Sequence, residues 1–237
     1  TGGYLYVADM NNNKIRRVDI SNGAVTTFAG SGAMGRADGT GTAATLYWPN
    51  GMATDSVFLY FTDVGTSLVR KIQISNALVT TIAGNGDAGL INATGLSSSF
   101  NAPKGIIANG SNLYVADSNN HLIRQIEAAT SKVTTFAGSG TNGIVDGTGA
   151  AARFELPWGI TSYGTDLYVL DWDFTNGAAI RRIAIGSVNV SSLAGSATER
   201  GYADGTGAAV RLTNPNYGVS DGTYLYFTDN YMVRRLT

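Results

Sequence analysis

The sequence predicts an all-β fold, a β-propeller of four-stranded antiparallel blades with five blades visible and two of them incomplete. Three observations carry this. One block of text recurs five times along 237 residues, at spacings of 54, 54, 54 and 58 residues. Each recurrence holds short runs rich in β-branched and aromatic residues, bounded by Gly, Asn, Asp or Ser, which are strand and turn signals. The composition agrees: there are 31 Gly and only 14% charged residues, which suits many short strands joined by tight polar turns rather than helix bundles.

Each repeat contains four elements in a fixed order. The first is a Pro followed closely by Gly, at Pro49-Asn-Gly51, Pro103-Lys-Gly105, Pro157-Trp-Gly159 and Pro215-Asn-Tyr-Gly218. The second is the Leu-Tyr strand that ends in Asp, at Leu5–Asp9, Leu59–Asp63, Leu113–Asp117, Leu167–Asp171 and Leu225–Asp229. The third begins with an aliphatic-Arg pair, at Arg16, Arg70, Arg124, Arg181 and Arg234. The fourth reads Val-Thr-Thr-Phe-Ala-Gly in its clearest copies, starting at Val25, Val79, Val133 and Val190. Four strands per unit of this length, repeated, point to propeller blades. A longer connection leads to the next Pro. Three of its copies carry Asp-Gly-Thr-Gly, at Asp38, Asp146 and Asp204, read as a tight turn before one helical turn rather than a calcium loop, because the alternating acidic ligands are missing.

These motifs resemble the NHL repeat family. The third unit carries the likeness best, with Pro103-Lys-Gly, Leu113-Tyr-Val-Ala-Asp, Asn119-Asn-His-Leu-Ile-Arg124 and Val133-Thr-Thr-Phe-Ala-Gly138. The resemblance, closer in style to secreted bacterial NHL proteins than to basic RNA-binding ones, implies a single propeller domain over residues 1–237. Its units run over about 1–46, 47–100, 101–154, 155–212 and 213–237. It also implies six blades, which at this period need roughly 324 residues. The first unit lacks its inner strand, the last its outer one, and the chain opens on Thr1 without Met or leader. A processed, excised or partial chain is therefore expected.

The net charge of −1 gives no basic field for nucleic acid, and no apolar run is long enough for a membrane helix. With no Cys there is no disulfide framework, thiolate metal site or Cys nucleophile. Neither cofactor nor metal is expected. His121 is the single His, so a multi-His site of the kind that propeller lyases use is not available. Each repeated Asp is expected to pair with the Arg of the following strand (Asp9/Arg16, Asp63/Arg70, Asp117/Arg124, Asp171/Arg181, Asp229/Arg234), because Arg stems sharing a face with apolar residues need a carboxylate partner. The sequons at Asn92, Asn109 and Asn189 are as many as chance supplies and carry no weight.

Positions that vary between repeats are the candidates for function. They are Asn50, Lys104, Trp158 and Tyr217 after each Pro, and Asn120, His121, Trp172, Phe174 and Tyr231 in the loops after each Asp. In a propeller both loop classes meet on one rim, where aromatics with Asn suit protein hot spots or sugar stacking. The fourth unit stands out, because its turn after Asp171 is longer and inserts Trp172, Asp173 and Phe174 beside Asn176-Gly177. The expectation is a non-enzymatic binding module of an extracellular or cell-surface protein, taking a protein or glycan ligand on the loop face. The alternatives are a lyase- or hydrolase-type propeller enzyme with a site at the channel mouth, and a structural subunit that self-associates through its incomplete terminal blades.

Overall fold

The computed structural model describes residues 3–175 and 177–236. It is a β-propeller built from five small antiparallel sheets. The first blade has three strands, β1 (Tyr4–Asp9), β2 (Lys14–Asp19) and β3 (Val25–Ala29). The second holds β5 (Pro49–Thr54), β6 (Phe58–Asp63), β7 (Leu68–Gln73) and β8 (Leu78–Ala83), with β4 (Gly39–Thr40) added outside β8. The third consists of β9 (Pro103–Asn109), β10 (Asn112–Asp117), β11 (Leu122–Glu127) and β12 (Lys132–Ala137). The fourth repeats the second: β14 (Pro157–Tyr163), β15 (Asp166–Trp172), β16 (Ala178–Ala184) and β17 (Asn189–Ser196), with β13 (Gly147–Thr148) outside β17. The fifth again has three strands, β18 (Pro215–Ser220), β19 (Leu225–Asp229) and β20 (Met232–Leu236).

The strand inventory matches the four sequence elements. The added fifth strands β4 and β13 were not anticipated. They come from two of the three Asp-Gly-Thr-Gly connectors, those of Asp38 and Asp146, which lay their Gly-Thr pairs along the outer strand of the blade that follows, Gly39 opposite Val79 and Gly147 opposite Val190. The helical turn expected after each Gly is a three-residue 3-10 turn, at Gly41–Ala43, Gly95–Ser97, Gly149–Ala151 and Gly207–Ala209. No helix among the described residues is long and apolar enough to cross a membrane.

The chain groups into two compact units, residues 1–111 with 127–133, and 112–126 with 134–237. In the first, Leu46, Leu59, Phe61, Ile72 and Val79 build one buried cluster with Ile15. In the second, Leu170, Trp172, Ile180, Leu212 and Phe227 do the same. The Pro-x-Gly element has a packing reason. A Cβ on Gly51 would lie 2.3 Å from the Lys104 carbonyl oxygen, and one on Gly159 would lie 2.1 Å from that of Asn216. Only glycine lets neighbouring inner strands approach this closely.

Candidate functional site

The repeated Asp and Arg form sockets. In the second blade Arg70 Nη1 donates to Asp63 Oδ2 at 3.0 Å and to the Thr45 carbonyl at 2.7 Å. Its Nη2 donates to Asp38 Oδ1 and to the Ala37 carbonyl, both at 2.9 Å. A register shift between Val69 and Arg70 turns the guanidinium into this position, the usual effect of a bulge. Asp63 uses its other oxygen to accept the Tyr47 N–H at 2.7 Å. The fourth blade is built alike, with Arg181 on Asp171 at 3.2 Å and Asp146 at 3.0 Å, and Asp171 Oδ1 accepting from the Glu155 and Leu156 N–H groups. So is the fifth, with Arg234 on Asp229 at 3.0 Å and Asp204 at 2.7 Å. Arg124 pairs with Asp117 at 2.7 Å. Burial pushes the Asp63 carboxyl up to about 6 and that of Asp171 up to about 7, against the pull of their arginines.

Four of the five expected pairs form. The exception is Asp9/Arg16. Asp9 accepts from Asn12 at 2.8 Å, and Arg16 makes no ion pair among the described residues; its Nε, like those of Arg70, Arg124 and Arg181, is buried without a partner. Ile20, just beyond the end of β2, is exposed. The second carboxylate of each complete socket was also missed. It is the Asp of the connector, which lies 30 to 35 positions from its Arg. That Asp also holds the outer strand: Asp38 accepts from Thr81 N–H and Oγ1 at 2.9 and 3.0 Å, and Asp146 accepts from Ser192 N–H and Oγ at 2.8 and 2.9 Å.

The loops after Asp9, Asp63 and Asp117 are 3-10 turns closed by a left-handed residue, Asn13, Ser67 and His121 with φ of 53°, 53° and 57°. Asn and His are among the residues that tolerate this region. His121 is half-buried and its Nδ1 is hydrogen-bonded to the Glu155 carbonyl, while Asn120 Nδ2 donates to Asp117 at 2.8 Å. Both are therefore tied into the blade-to-blade framework of the second unit. In the first unit Asn50 contacts Met10 Sδ at 3.3 Å. Lys104 is half-buried on the neighbouring inner strand, where burial lowers its pKa.

The aromatic residues of the fourth blade do come together. Trp158 and Trp172 have ring centroids 5.3 Å apart, and Phe174 meets Trp172 edge-on at 5.0 Å. Trp172 is only 3% exposed and its Nε1 has no hydrogen-bond partner. Phe174 is 68% exposed. The Arg200 guanidinium lies 5.8 Å from the Trp172 ring centroid and bonds the Phe174 and Thr213 carbonyls, so it ties the inserted loop to the following connector. Asn176 lies outside the described residues. Tyr217 and Tyr231 sit on the fifth blade, exposed, Tyr231 at 96%. Beside them Asn230 Nδ2 donates to the Tyr202 hydroxyl at 2.7 Å. Sequence reasoning missed Arg200, Tyr202 and Trp48. Trp48 is exposed and packs tilted against Tyr47, with ring centroids 4.8 Å apart. Its signal was a bulky ring just before Pro49, where other repeats carry Ala102, Leu156 and Asn214. Among the described residues no group of three or more His, Cys, Asp or Glu is placed to hold a metal ion.

Residues 1–32 match the LVIVD repeat family model. NHL repeat-containing protein 2 of Bos taurus is 34% identical over 156 residues, covering 60% of this chain and 22% of the relative. The human protein of the same name is 33% identical with the same coverage. The chain thus spans about a fifth of the length of these curated relatives. Among solved structures, the nidogen/laminin complex aligns with a TM-score of 0.65 at 18% identity, covering 99% of this chain and 71% of that one. An auxiliary nutrient binding protein from Bacteroides ovatus gives 0.67 at 18%, covering 99% and 66%. Virginiamycin B lyase from Staphylococcus aureus gives 0.58 at 15%, covering 97% and 60%. At these identities the structures speak for the fold alone. The ordered repeats and their sheets make the chain a β-propeller, and the relatives show that it is similar to NHL repeat-containing proteins.

Proposed function

We propose that this chain is a non-enzymatic binding module of an extracellular or cell-surface protein, and that the inserted loop of its fourth blade is the centre of its protein-binding surface. One observation carries the reading. Phe174 projects into solvent from a base of two packed indoles, and Arg200 bonds its backbone. A turn needs no such ring, and exposing one costs solubility unless it meets a partner. Aromatic and Arg side chains set over a rigid apolar base are the usual make-up of an interface hot spot. Trp158 and Trp172 form the support, and Phe174 makes the contact. Tyr217 and Tyr231 extend the aromatic surface on the fifth blade. Asn50 and Lys104 belong to the first unit and have a separate, secondary place. The nidogen/laminin complex and the nutrient-binding protein give precedents of fold for recognition by such propellers.

The experiment is a binding screen of the immobilised chain against extracellular-matrix proteins and a glycan array, with Phe174→Ser beside the parent. Loss of a protein ligand on Phe174→Ser, with an unchanged melting temperature, is the expected result. Ligand binding that ignores Phe174→Ser sinks the proposal. A glycan ligand lost on the same substitution would keep the site and change the ligand class.

A further inference from the structure

The glycine that closes each Val-Thr-Thr element opens the same tight turn in all four connectors. Three of them close it with serine. Ser31, Ser139 and Ser196 each accept at Oγ the N–H of the residue two positions on, at 3.1, 3.2 and 3.3 Å. The second connector carries Asn85 instead, whose Oδ1 accepts the Asp87 N–H at 2.9 Å. The turn thus needs only a side-chain oxygen, and the amide of Asn85 is a departure from the repeat. A second departure meets it. Arg36 stands where the later connectors have Leu90, Ile144 and Tyr202, and its Nη1 donates to the Asn85 backbone carbonyl at 3.3 Å. The contact also requires Gly86, because a Cβ there would lie 1.9 Å from Arg36 Nη1. Both Arg36 and Asn85 are exposed.

We propose that Asn85–Gly86 is a self-modification site, at which the Asn85 side-chain amide cyclises onto the Gly86 nitrogen and ends as an aspartyl or isoaspartyl carboxylate. The Gly86 nitrogen bonds to Asn85 Cγ, the Cγ–Nδ2 bond breaks, and ammonia leaves with the proton that Gly86 gives up. Water then opens the five-membered imide at either of its carbonyls. Three contacts favour the ring closure. The nucleophile is the deprotonated Gly86 amide, whose charge rests largely on the Asn85 carbonyl oxygen, and the Arg36 guanidinium is hydrogen-bonded to that oxygen. The Asp87 N–H meets Oδ1, where negative charge develops as the ring closes. Among the described residues nothing accepts the Gly86 N–H, and glycine brings no side chain to block the approach.

The other Asn-Gly pairs are placed differently. The Gly23 N–H donates to the Asp19 carbonyl at 2.8 Å and the Gly143 N–H to that of Phe154 at 3.1 Å. The Gly51 N–H donates to Thr62 Oγ1 at 3.0 Å. These nitrogens are committed elsewhere. Asn109 has neither an arginine on its carbonyl nor an N–H on its side-chain amide among the described residues, and Asn176 lies outside them. At Asn85 the product sets a carboxylate beside Arg36, so the first two connectors gain an ion pair. The isoaspartyl form also adds one methylene to the backbone between the second blade and the third.

The test is to age the purified chain in warm neutral buffer, beside the same chain held unfolded in urea. Both are mapped by mass spectrometry with fragmentation that separates aspartate from isoaspartate. In the folded chain Asn85 is expected to convert ahead of Asn22, Asn50, Asn109 and Asn142, and faster than it does in urea. Arg36→Leu gives the first connector the residue that the second has at that place, Leu90. It is expected to slow conversion of Asn85 in the folded chain about tenfold, the scale of one charge-assisted hydrogen bond, with the rate in urea and the melting temperature unchanged. Arg36→Gln keeps a neutral donor and reads the same effect should leucine lower the melting temperature. Asn85→Ser, the residue of the other three turns, keeps the fold and removes the conversion. Conversion led by another Asn-Gly pair, a folded-chain rate no higher than that in urea, or a rate indifferent to both Arg36 variants overturns the proposal.

Discussion

Arg16 and Arg70 lie in the same unit, occupy the same place in the repeat and follow the same Asp at the same seven-residue spacing. Their surroundings differ completely. Arg70 is 0% exposed and donates to two carboxylates and two carbonyls. Arg16 is half-buried, and among the described residues it has no ion pair. The Asp–Arg spacing is therefore not what buries the charge. What buries it is the connector laid across the blade from the preceding repeat, which adds Asp38 and the Ala37 and Thr45 carbonyls. A buried guanidinium needs its charge compensated and most of its donors satisfied, as the four bonds made by the two Nη atoms of Arg70 provide.

The strongest way to break this comparison is Arg70→Ala. It leaves Asp63 buried without its cation, and a loss of about 3–5 kcal/mol in chemical denaturation is expected. A loss as small as that of a surface substitution would show the socket to be dispensable. Next in size is Asp38→Asn, which keeps the volume but removes the charge-assisted bonds to Arg70 and Thr81. A loss of about 1–2 kcal/mol is expected, with faster hydrogen exchange at the Thr81 amide as the specific sign.

A third effect is read against pH. Burial lifts Asp63 to about 6 and Asp171 to about 7, above the 3.8 of an exposed Asp. Each then binds its proton more tightly in the folded state than in the unfolded one. The stability this contributes is full below about pH 4 and fades as pH rises through 6 to 7, on the order of a few kcal/mol per group. Melting curves between pH 5 and 8 should record the decline, and Asp171→Asn should flatten part of it. The smallest effect belongs to Arg16→Ala, at under about 0.5 kcal/mol in the same denaturation assay. A large loss there would mean that the first blade holds its Arg by contacts equal to those of Arg70.

How much of this could be read from the sequence follows from the range of each interaction. Strands such as Leu59–Asp63 and turns such as Ser118–His121 are set by neighbouring residues, so periodicity and turn chemistry reveal them. The Pro-x-Gly around Gly51 was also legible as a recurring motif, but its packing against Lys104 needed the structure. Asp38 was visible as a motif and misjudged as a mere turn residue, because its partners Arg70 and Thr81 lie 32 and 43 positions away. The fourth-blade aromatics were singled out by their departure from the repeat, and Trp158, Trp172 and Phe174 do meet. Which ring is covered and which faces water depends on how the inserted loop folds over β15. No local pattern encodes that, and Trp172 is buried while Phe174 is not.

The connector also fixes where a transferable module begins and ends. A cassette cut at the inner strand, residues 47–100, would carry Asp63, Arg70 and Thr81 but leave Asp38 behind. A cassette cut just after the glycine that ends the outer strand, residues 31–84, takes all four together with both carbonyl acceptors. Blades exchanged or duplicated at the second boundary keep every buried charge compensated from within. At the first boundary each new neighbour must supply an acid at the right place. The glycine after the Val-Thr-Thr strand, and not the proline before the inner strand, is therefore the seam at which such a chain can be lengthened, shortened or recombined without leaving a guanidinium stranded.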